Sequence, residues 1–176
     1  GTVVVKNNSP TGNHSMPVYY SRKASTELLF SSNTSNGQEE IWKSDGTPGG
    51  TTAIINPRPG TDAAFLVTYE FFNFSNKILL FTANDGASGF ELWKTDGTAL
   101  GTSLVKSSSS PSHVLDGIHQ YIEMNGFAYM GTGLFGQGGI WKTDGTGNGT
   151  QLVKSMMLKN PFTKIDETLF FSGLSN

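Results

Sequence analysis

Three aspartates at equivalent places are the first candidates for chemistry in this 176-residue sequence. Asp45, Asp96 and Asp144 each stand in a run of Trp, Lys, Ser or Thr, Asp, Gly and Thr. Carboxylates of this kind can bind a metal ion or transfer a proton. Asp-Gly is also a strong turn signal, because the aspartate accepts backbone N–H bonds and glycine tolerates positive φ. Since the same group occurs three times, we interpret these residues as turn residues and predict no catalytic role.

The histidines offer a second possibility, a metal site. His113 and His119 flank Asp116 and could share a loop with it, whereas His14 stands alone. This spacing is weak support for a ligand set, and the sequence has neither cysteine nor an HExxH motif. We expect a solvated loop here, and we predict no bound metal and no cofactor.

A glycoside hydrolase would need two carboxylates on opposite sides of a pocket. The acids outside the repeated runs are Asp62, Glu70, Asp116 and Glu123, and nothing in the sequence brings two of them together. There is also no phosphate-binding loop and no GxSxG nucleophile motif. We therefore predict that the chain is not an enzyme, with a propeller glycoside hydrolase as the least favoured alternative.

The runs around the aspartates belong to a repeat with a period of about fifty residues, which is typical of stacked or ring-forming arrays. Each copy, which we call the heptad, is followed by a Gly-Thr pair at 50–51, 101–102 or 149–150. The structural repeat positions are Trp42, Asp45, Gly46, Thr47, Trp93, Asp96, Gly97, Thr98, Trp141, Asp144, Gly145 and Thr146.

Each unit contains four short apolar runs that are rich in aromatic and β-branched residues, which predicts four strands. Several runs are continuously apolar, which indicates burial on both faces of the sheet. Leu92 and Trp93, for example, point to opposite faces, and both can be buried only if another sheet covers each face. Counting back a constant distance from each Trp places Phe30, Phe81 and Tyr129 at equivalent positions in the second strand. The pattern predicts an all-β fold, a β-propeller built of four-stranded antiparallel blades.

The predicted units cover 9–56, 57–106 and 107–154 of a single propeller or propeller segment spanning 1–176. A further blade is split: 162–165 and 169–171 supply its first two strands from 155–176, and 2–6 supplies its last strand from 1–8. The ends could meet to close a small ring, but we expect a piece of a larger ring or one completed by another copy.

Composition excludes other classes of partner. The formal net charge is −2 with no cluster of basic residues, which argues against nucleic acid binding and a polybasic membrane patch. No apolar stretch approaches the length of a membrane span, so we predict no membrane insertion.

The heptads resemble the ELWxxDGT repeat family. Glu91 to Thr98 with Gly101-Thr102 matches that pattern, the copy from Glu40 to Thr51 has Ile41 in place of Leu, and the third copy has Gly139 where Glu is expected. The segment 55–60 is similar to the family's trailing Ile-x-Pro-Gly. The resemblance implies a secreted or surface-anchored protein with propeller-like repeats and no common catalytic chemistry.

These observations favour a non-catalytic extracellular or cell-surface module that acts as a scaffold, or as a protein–protein interaction or adhesion unit of a surface assembly. Its partners would be other protein subunits or further copies of the same repeat. The alternative is a lectin-like carbohydrate-binding propeller, but its loop residues should then recur in each unit, and here they differ. Aromatic residues that could stack on sugars are Tyr19, Tyr20, Phe71, Phe72, Phe74 and Tyr121, most of which we expect in the core.

Sequons for N-glycosylation occur along the whole chain, slightly more often than chance predicts. They would carry glycan only in a eukaryotic secretory setting. The acceptor positions are Asn7, Asn13, Asn33, Asn73 and Asn148.

Overall fold

The computed structural model is all-β throughout the residues that it describes, as the sequence predicts, and its strands form several antiparallel sheets. None of these residues belongs to a helix that is long and apolar enough to cross a membrane. The described residues are 4–7, 17–24, 27–33, 39–57, 71–75, 77–84, 89–107, 115, 117–133 and 138–175.

Two sheets are four-strand meanders, and a five-stranded sheet contains a third such meander; within each meander every strand pairs with its sequence neighbour. The first sheet contains β1 (Pro17–Ala24), β2 (Glu27–Asn33), β3 (Glu39–Ser44) and β4 (Thr52–Ile55). The second sheet contains β5 (Phe71–Phe74), β6 (Ile78–Asn84), β7 (Phe90–Thr95) and β8 (Ser103–Lys106). The third sheet contains β9 (Gln120–Met124), β10 (Phe127–Gly131), β11 (Gly139–Thr143) and β12 (Gln151–Leu158).

The C-terminal residues add a hairpin and an edge strand. β13 (Thr163–Ile165) and β14 (Thr168–Phe170) form a two-stranded antiparallel sheet. β15 (Gly173–Ser175) pairs with the end of β12, so Met156 lies opposite Ser175. The sequence predicts the hairpin, but not β15 or the extension of β12 beyond the repeat.

The N-terminal segment differs from its prediction. The sequence predicts a strand over 2–6, but the described part of that stretch, within 4–7, is not in a strand. Lys6 instead lies against the first sheet, where its ammonium donates to the carbonyl of Thr51 at 2.7 Å and lies 5.7 Å from the Trp42 ring centroid. Thr2 and Val3 lie outside the described residues.

The register of the third unit also corrects the sequence alignment. Phe30 lies opposite Trp42 and Phe81 lies opposite Trp93, as the constant spacing predicts. In the third sheet, however, Met130 lies opposite Trp141. Tyr129 is opposite Lys142 and therefore points to the other face. Met130 precedes Trp141 by eleven residues, one fewer than the twelve that separate Phe30 from Trp42 and Phe81 from Trp93, so the equivalent position shifts from Tyr129 to Met130.

Each sheet has two different faces, because successive side chains of a strand alternate. We call the face with the heptad Trp the Trp face, and the face with the preceding Ile or Leu the aliphatic face. Leu29 and Ile41 on the aliphatic face of the first sheet form one buried cluster with Phe71, Leu79 and Phe81 on the Trp face of the second.

The second sheet meets the third in the same way. Leu80 and Leu92 on its aliphatic face share a second cluster with Ala128 and Met130 on the Trp face of the third sheet. Trp141 packs against this cluster, just as Trp93 packs against the first one. The second sheet is therefore buried on both faces, as its continuously apolar strands predict.

Candidate functional site

The heptad turn between the third and fourth strands is built by a hydrogen-bond network. In the first sheet, Asp45 Oδ1 accepts the Thr47 N–H and the Thr47 hydroxyl, both at 2.8 Å. The Thr47 hydroxyl oxygen accepts the Gly50 N–H at 3.0 Å, and the Thr51 hydroxyl donates to the Thr47 carbonyl at 2.7 Å. Side chains of the heptad and its Gly-Thr pair thus fix the whole connection.

The other two turns repeat this network bond for bond. Asp96 Oδ1 accepts from Thr98 at 2.8 Å and 2.6 Å, and Asp144 Oδ1 accepts from Thr146 at 2.8 Å and 2.7 Å. The glycine after each aspartate has a φ of 89°, 85° or 85° at residues 46, 97 and 145, a conformation that glycine adopts without strain.

These hydrogen bonds also set the protonation of two of the aspartates. The pKa of Asp45 lies below its ordinary value because the Thr47 N–H, followed by the Thr47 hydroxyl, stabilises the carboxylate. The pKa of Asp144 is lowered by the Thr146 hydroxyl and then by its N–H. A general acid needs the opposite shift, so the geometry suits a permanent acceptor within a turn.

The glycine of each Gly-Thr pair is required by the aspartate. A Cβ on Gly50 would overlap the Asp45 carboxylate, and the same overlap would arise between Gly101 and Asp96. Gly149 stands in the same relation to the carboxylate of the third turn. The sequence shows these glycines as a regular motif, but the contact that requires them is visible only in the structure.

A bulge recurs on the fourth strand of every sheet. Ile41 is opposite Ile55 and Trp42 is opposite Ala53, so Ile54 lies between two paired positions. Val105 and Val153 have the same place in β8 and β12. Bulges redirect side chains, and here Ile54 and Val105 pack into the clusters shared with the following sheet.

The heptad turn also makes the contact between neighbouring sheets. The Lys94 ammonium of the second sheet donates to the carbonyl of Gly145 in the third heptad at 2.9 Å. A Cβ on Gly145 would come within 3.3 Å of Ile78 Cδ1. A Cβ on Gly147 would come within 3.0 Å of the Val105 carbonyl oxygen. The third turn therefore lies directly on the aliphatic face of the second sheet.

Among the described residues, no heptad turn covers the bulge on the aliphatic face of the third sheet. Val153 is 51% exposed, whereas the equivalent Val105 is 7% exposed. Lys142 is equivalent to Lys94, but its ammonium lies over the ring of Phe127 in its own sheet, 5.2 Å from the centroid.

Polar contacts join the first strands of the second and third sheets, β5 and β9. The Tyr121 hydroxyl donates to the carbonyl of Asn73, and the Ser75 N–H donates to Glu123 Oε2 at 3.0 Å. Burial, followed by the nearby Glu123 carboxylate, raises the pKa of Tyr121, which keeps the phenol protonated. Glu123 is thus placed in a structural contact between sheets.

The remaining candidates for chemistry do not form a site in the described part of the chain. His119 is exposed, and its Nδ1 lies 2.9 Å from the Gly117 carbonyl oxygen. The described residues contain no group of three or more His, Asp or Glu side chains that could hold a metal ion. The candidates His14, Asp62, Glu70, His113 and Asp116 lie outside the described residues.

The aromatic residues proposed as a sugar platform are packed inside the protein where their side chains are described. Phe71, Phe72 and Phe74 are buried in the two clusters, and Tyr121 stacks on Phe72 with ring centroids 5.0 Å apart. The side chains of Tyr19 and Tyr20 lie outside the description. These four aromatic rings therefore support packing in the core and not a sugar-binding platform.

Two acids that precede the heptads are more buried than sequence reasoning suggests. Glu91 is 1% exposed, and its Oε1 accepts the Ser107 hydroxyl at 3.1 Å. Burial raises the pKa of the equivalent Glu40. A signal was present in the sequence, because Glu40 and Glu91 lie two residues before Trp42 and Trp93 and so share a face of the strand with them.

Of the sequon asparagines, Asn7, Asn73 and Asn148 are exposed. Asn13 lies outside the described residues, as does the side chain of Asn33. The sequon threonine Thr150 is buried and donates to the Thr146 carbonyl at 2.6 Å, so its hydroxyl belongs to the heptad turn.

Comparison with known proteins adds no relative: no protein-family model matches the chain, and no curated protein is similar to it.

Proposed function

We propose that this chain is a non-catalytic module of propeller-type repeats, a member of the ELWxxDGT class, that serves as a scaffold or protein–protein interaction unit of an extracellular or cell-surface assembly. The observation that carries the proposal is the triplicated heptad turn. In each copy the aspartate is engaged by the threonine that follows it. The most conspicuous acids of the sequence therefore build the array and are not available for proton transfer.

The packing of the sheets supports the propeller-type arrangement. The aliphatic face of one sheet meets the Trp face of the next, and this occurs twice in the same sense. Stacking in one sense is what a radial array of four-stranded blades requires. Such arrays bury their repeats against one another and use the remaining surfaces for binding.

The experiment that tests this function is chemical cross-linking on intact cells of the source organism, followed by light scattering of the purified material. We expect the chain at the cell surface, in a defined assembly that is heavier than the single chain. A monomer recovered without any cross-linked protein would contradict the interaction role. An intracellular location would contradict the placement at the surface.

The catalytic and lectin alternatives are tested on the same material. We expect no turnover with a panel of glycoside substrates and no saturable binding on a glycan array. Hydrolysis that survives Glu123→Gln and Asp144→Asn would assign the activity to other acids of the chain. Sugar binding above background would replace the scaffold role by a lectin role.

A further inference from the structure

Two Asn-Gly steps lie in turns of very different construction, Asn125-Gly126 between β9 and β10 and Asn148-Gly149 in the third heptad turn. An asparagine can lose its side-chain amide when the next backbone nitrogen attacks it, and a following glycine favours this attack because it has no Cβ in the way. The two turns therefore allow a direct comparison of the same chemical step. A further step, Asn36-Gly37, lies outside the described residues.

The turn that contains Asn125 is open. Met124 lies opposite Phe127, so Asn125 and Gly126 are the two central residues of the hairpin. Their φ values are 54° and 75°, as in a type I′ turn, whose hydrogen bond joins the residues on either side of the central pair. Both central residues are exposed, and a Cβ on Gly126 would meet no atom within 4 Å. The backbone of this turn can therefore rearrange without displacing a neighbour of Gly126.

The turn that contains Asn148 is held in place. The Gly149 N–H donates to the Thr146 hydroxyl oxygen at 3.0 Å, and the Gln151 side-chain amide donates to the Asn148 carbonyl at 3.2 Å. A Cβ on Gly149 would overlap the Asp144 carboxylate, so this glycine lies against an anion. Asn148 is exposed, as Asn125 is, so exposure does not distinguish the two asparagines.

These contacts oppose the reaction at its first step. The glycine nitrogen attacks only after it has lost its proton, and a hydrogen bond from the neutral N–H keeps that proton in place. The Asp144 carboxylate, whose pKa is lowered by Thr146, stays ionised and disfavours a second negative charge beside it. Ring closure would also turn the peptide between Asn148 and Gly149 and break both hydrogen bonds.

We propose that Asn125 is a site of spontaneous deamidation and that the heptad turn shields Asn148 from the same reaction. The Gly126 nitrogen forms a bond to Asn125 Cγ, the bond from Cγ to the amide nitrogen breaks, and ammonia leaves with the proton that Gly126 has lost. Water then opens the succinimide ring at either carbonyl, which yields aspartate or isoaspartate. Water is the sole co-reactant, and the inference is independent of the proposed function.

The isoaspartate product changes a contact between sheets. It adds one carbon to the backbone of a two-residue turn, so Met124 and Phe127 lose the register that this turn sets. β9 also carries Tyr121, whose hydroxyl donates to the Asn73 carbonyl of the second sheet. Deamidation is thus a slow covalent change in one turn that loosens the contact between β5 and β9.

The test is storage of the intact chain at mildly alkaline pH, with protein made in a bacterial host so that the sequon at Asn148 stays unmodified. Peptide mapping by mass spectrometry follows each asparagine, and electron-transfer fragmentation separates isoaspartate from aspartate. We expect Asn125 to convert at least about tenfold faster than Asn148 in the folded chain. In concentrated urea, where both turns are lost, the two rates should agree within about threefold.

Matched variants test the shielding. Thr146→Val removes the oxygen that accepts the Gly149 N–H and should raise the rate at Asn148 about threefold or more. Thr146→Ser keeps a hydroxyl and should stay close to the parent rate. Thr98→Val makes the same change in the second heptad turn, where Thr98 accepts the Gly101 N–H, and should leave the rate at Asn148 unchanged.

Two results would overturn the proposal: conversion of Asn125 no faster than that of Asn148 in the folded chain, or equal acceleration at Asn148 by Thr98→Val and Thr146→Val. The comparison of folded and urea-treated parent protein needs no variant, so it decides the matter even where a variant fails to fold. Hydrogen exchange measures the consequence, since amides of β9 and β10 should exchange faster in chains that carry isoaspartate at 125. Unchanged exchange there would reject the link to the contact between sheets.

Discussion

At the scale of single residues, the heptad uses its aspartate as a fixed acceptor. Each Oδ1 receives both the N–H and the hydroxyl of the threonine two positions later, at distances between 2.6 and 2.8 Å. Hydrogen bonds to a carboxylate favour its ionised form. The same bonds that make the acid unsuitable for proton donation therefore tie the stability of the turn to pH.

We predict that stability falls in acid and that Asp45 and Asp144 contribute to this fall. Both have folded-state pKa values below the ordinary value. The stabilisation is present above the pKa of the unfolded chain and is lost as pH falls through the lower folded-state pKa. Urea unfolding between about pH 6 and about pH 2 should show this loss, and the double variant Asp45→Asn, Asp144→Asn should show a shallower pH dependence.

Glu167→Gln serves as the control, because it removes an exposed carboxylate that lies outside the heptad turns. The free energy of unfolding of Glu167→Gln should depend on pH almost as it does in the parent chain. The double variant should depart further from the parent. If the double variant and the parent had identical pH profiles, the aspartates would not be coupled to folding.

Two adjacent glycines provide a second prediction at this scale. Gly50→Ala would place a methyl group on the Asp45 carboxylate, whereas Gly49→Ala meets no atom within 4 Å. We expect Gly50→Ala to lower the free energy of unfolding by about 1–3 kcal/mol, as overpacking typically does. Gly49→Ala should change it by less than about 0.5 kcal/mol, as exposed substitutions do.

The cause of the Gly50 effect can be isolated with a double-mutant cycle. Asp45→Ala removes the carboxylate that the new methyl group meets, so its combination with Gly50→Ala should cost less than the sum of the two changes. Additive effects in urea unfolding would show that the glycine is needed for another reason.

At the scale of elements, the recurring bulge determines how one sheet contacts the next. Ile54 and Val105 lie outside the regular pairing and pack into the cluster that their sheet shares with the next sheet, while Val153 remains exposed. Identical local structure therefore gives different burial, and the difference depends only on what lies against the aliphatic face.

This contrast predicts different costs for the same substitution. Val105→Asp should lower the free energy of unfolding by about 3–5 kcal/mol, because it buries a carboxylate without a partner. Val153→Asp should change it by less than about 0.5 kcal/mol, because that side chain is half exposed. Equal costs by urea unfolding would mean that Val153 is covered in solution.

The elements also show which features a sequence can predict. Strand content and the four runs per unit follow from short apolar runs and Asp-Gly turns, because both are local signals. The position of the bulge and the pairing of Met130 with Trp141 were not predictable in this way. Both depend on how strands pair across connections of variable length, and spacing along the chain does not determine that pairing. The overlap between Gly50 and Asp45 likewise needs the folded turn.

At the scale of the whole molecule, the sheets form a series in which the second is covered on both faces. Leu79 and Leu80 are adjacent and fully buried, yet they belong to different clusters, one shared with the first sheet and one with the third. The β13–β14 hairpin is at the other extreme, with Ile165 and Phe170 more than half exposed. Stability should therefore be unevenly distributed along the chain.

Native-state hydrogen exchange should show this gradient. We expect the slowest amides in β6 and β7, where both faces are packed, and amides of β13 and β14 that exchange at least about a hundredfold faster through local opening. Leu79→Ala and Leu80→Ala should each cost about 2–5 kcal/mol. The first should loosen β2 and β3 more, and the second should loosen β10 and β11 more. If both variants loosened the same strands, or if the hairpin were as protected as β6, the sheets would unfold as one unit instead of as a series of neighbours.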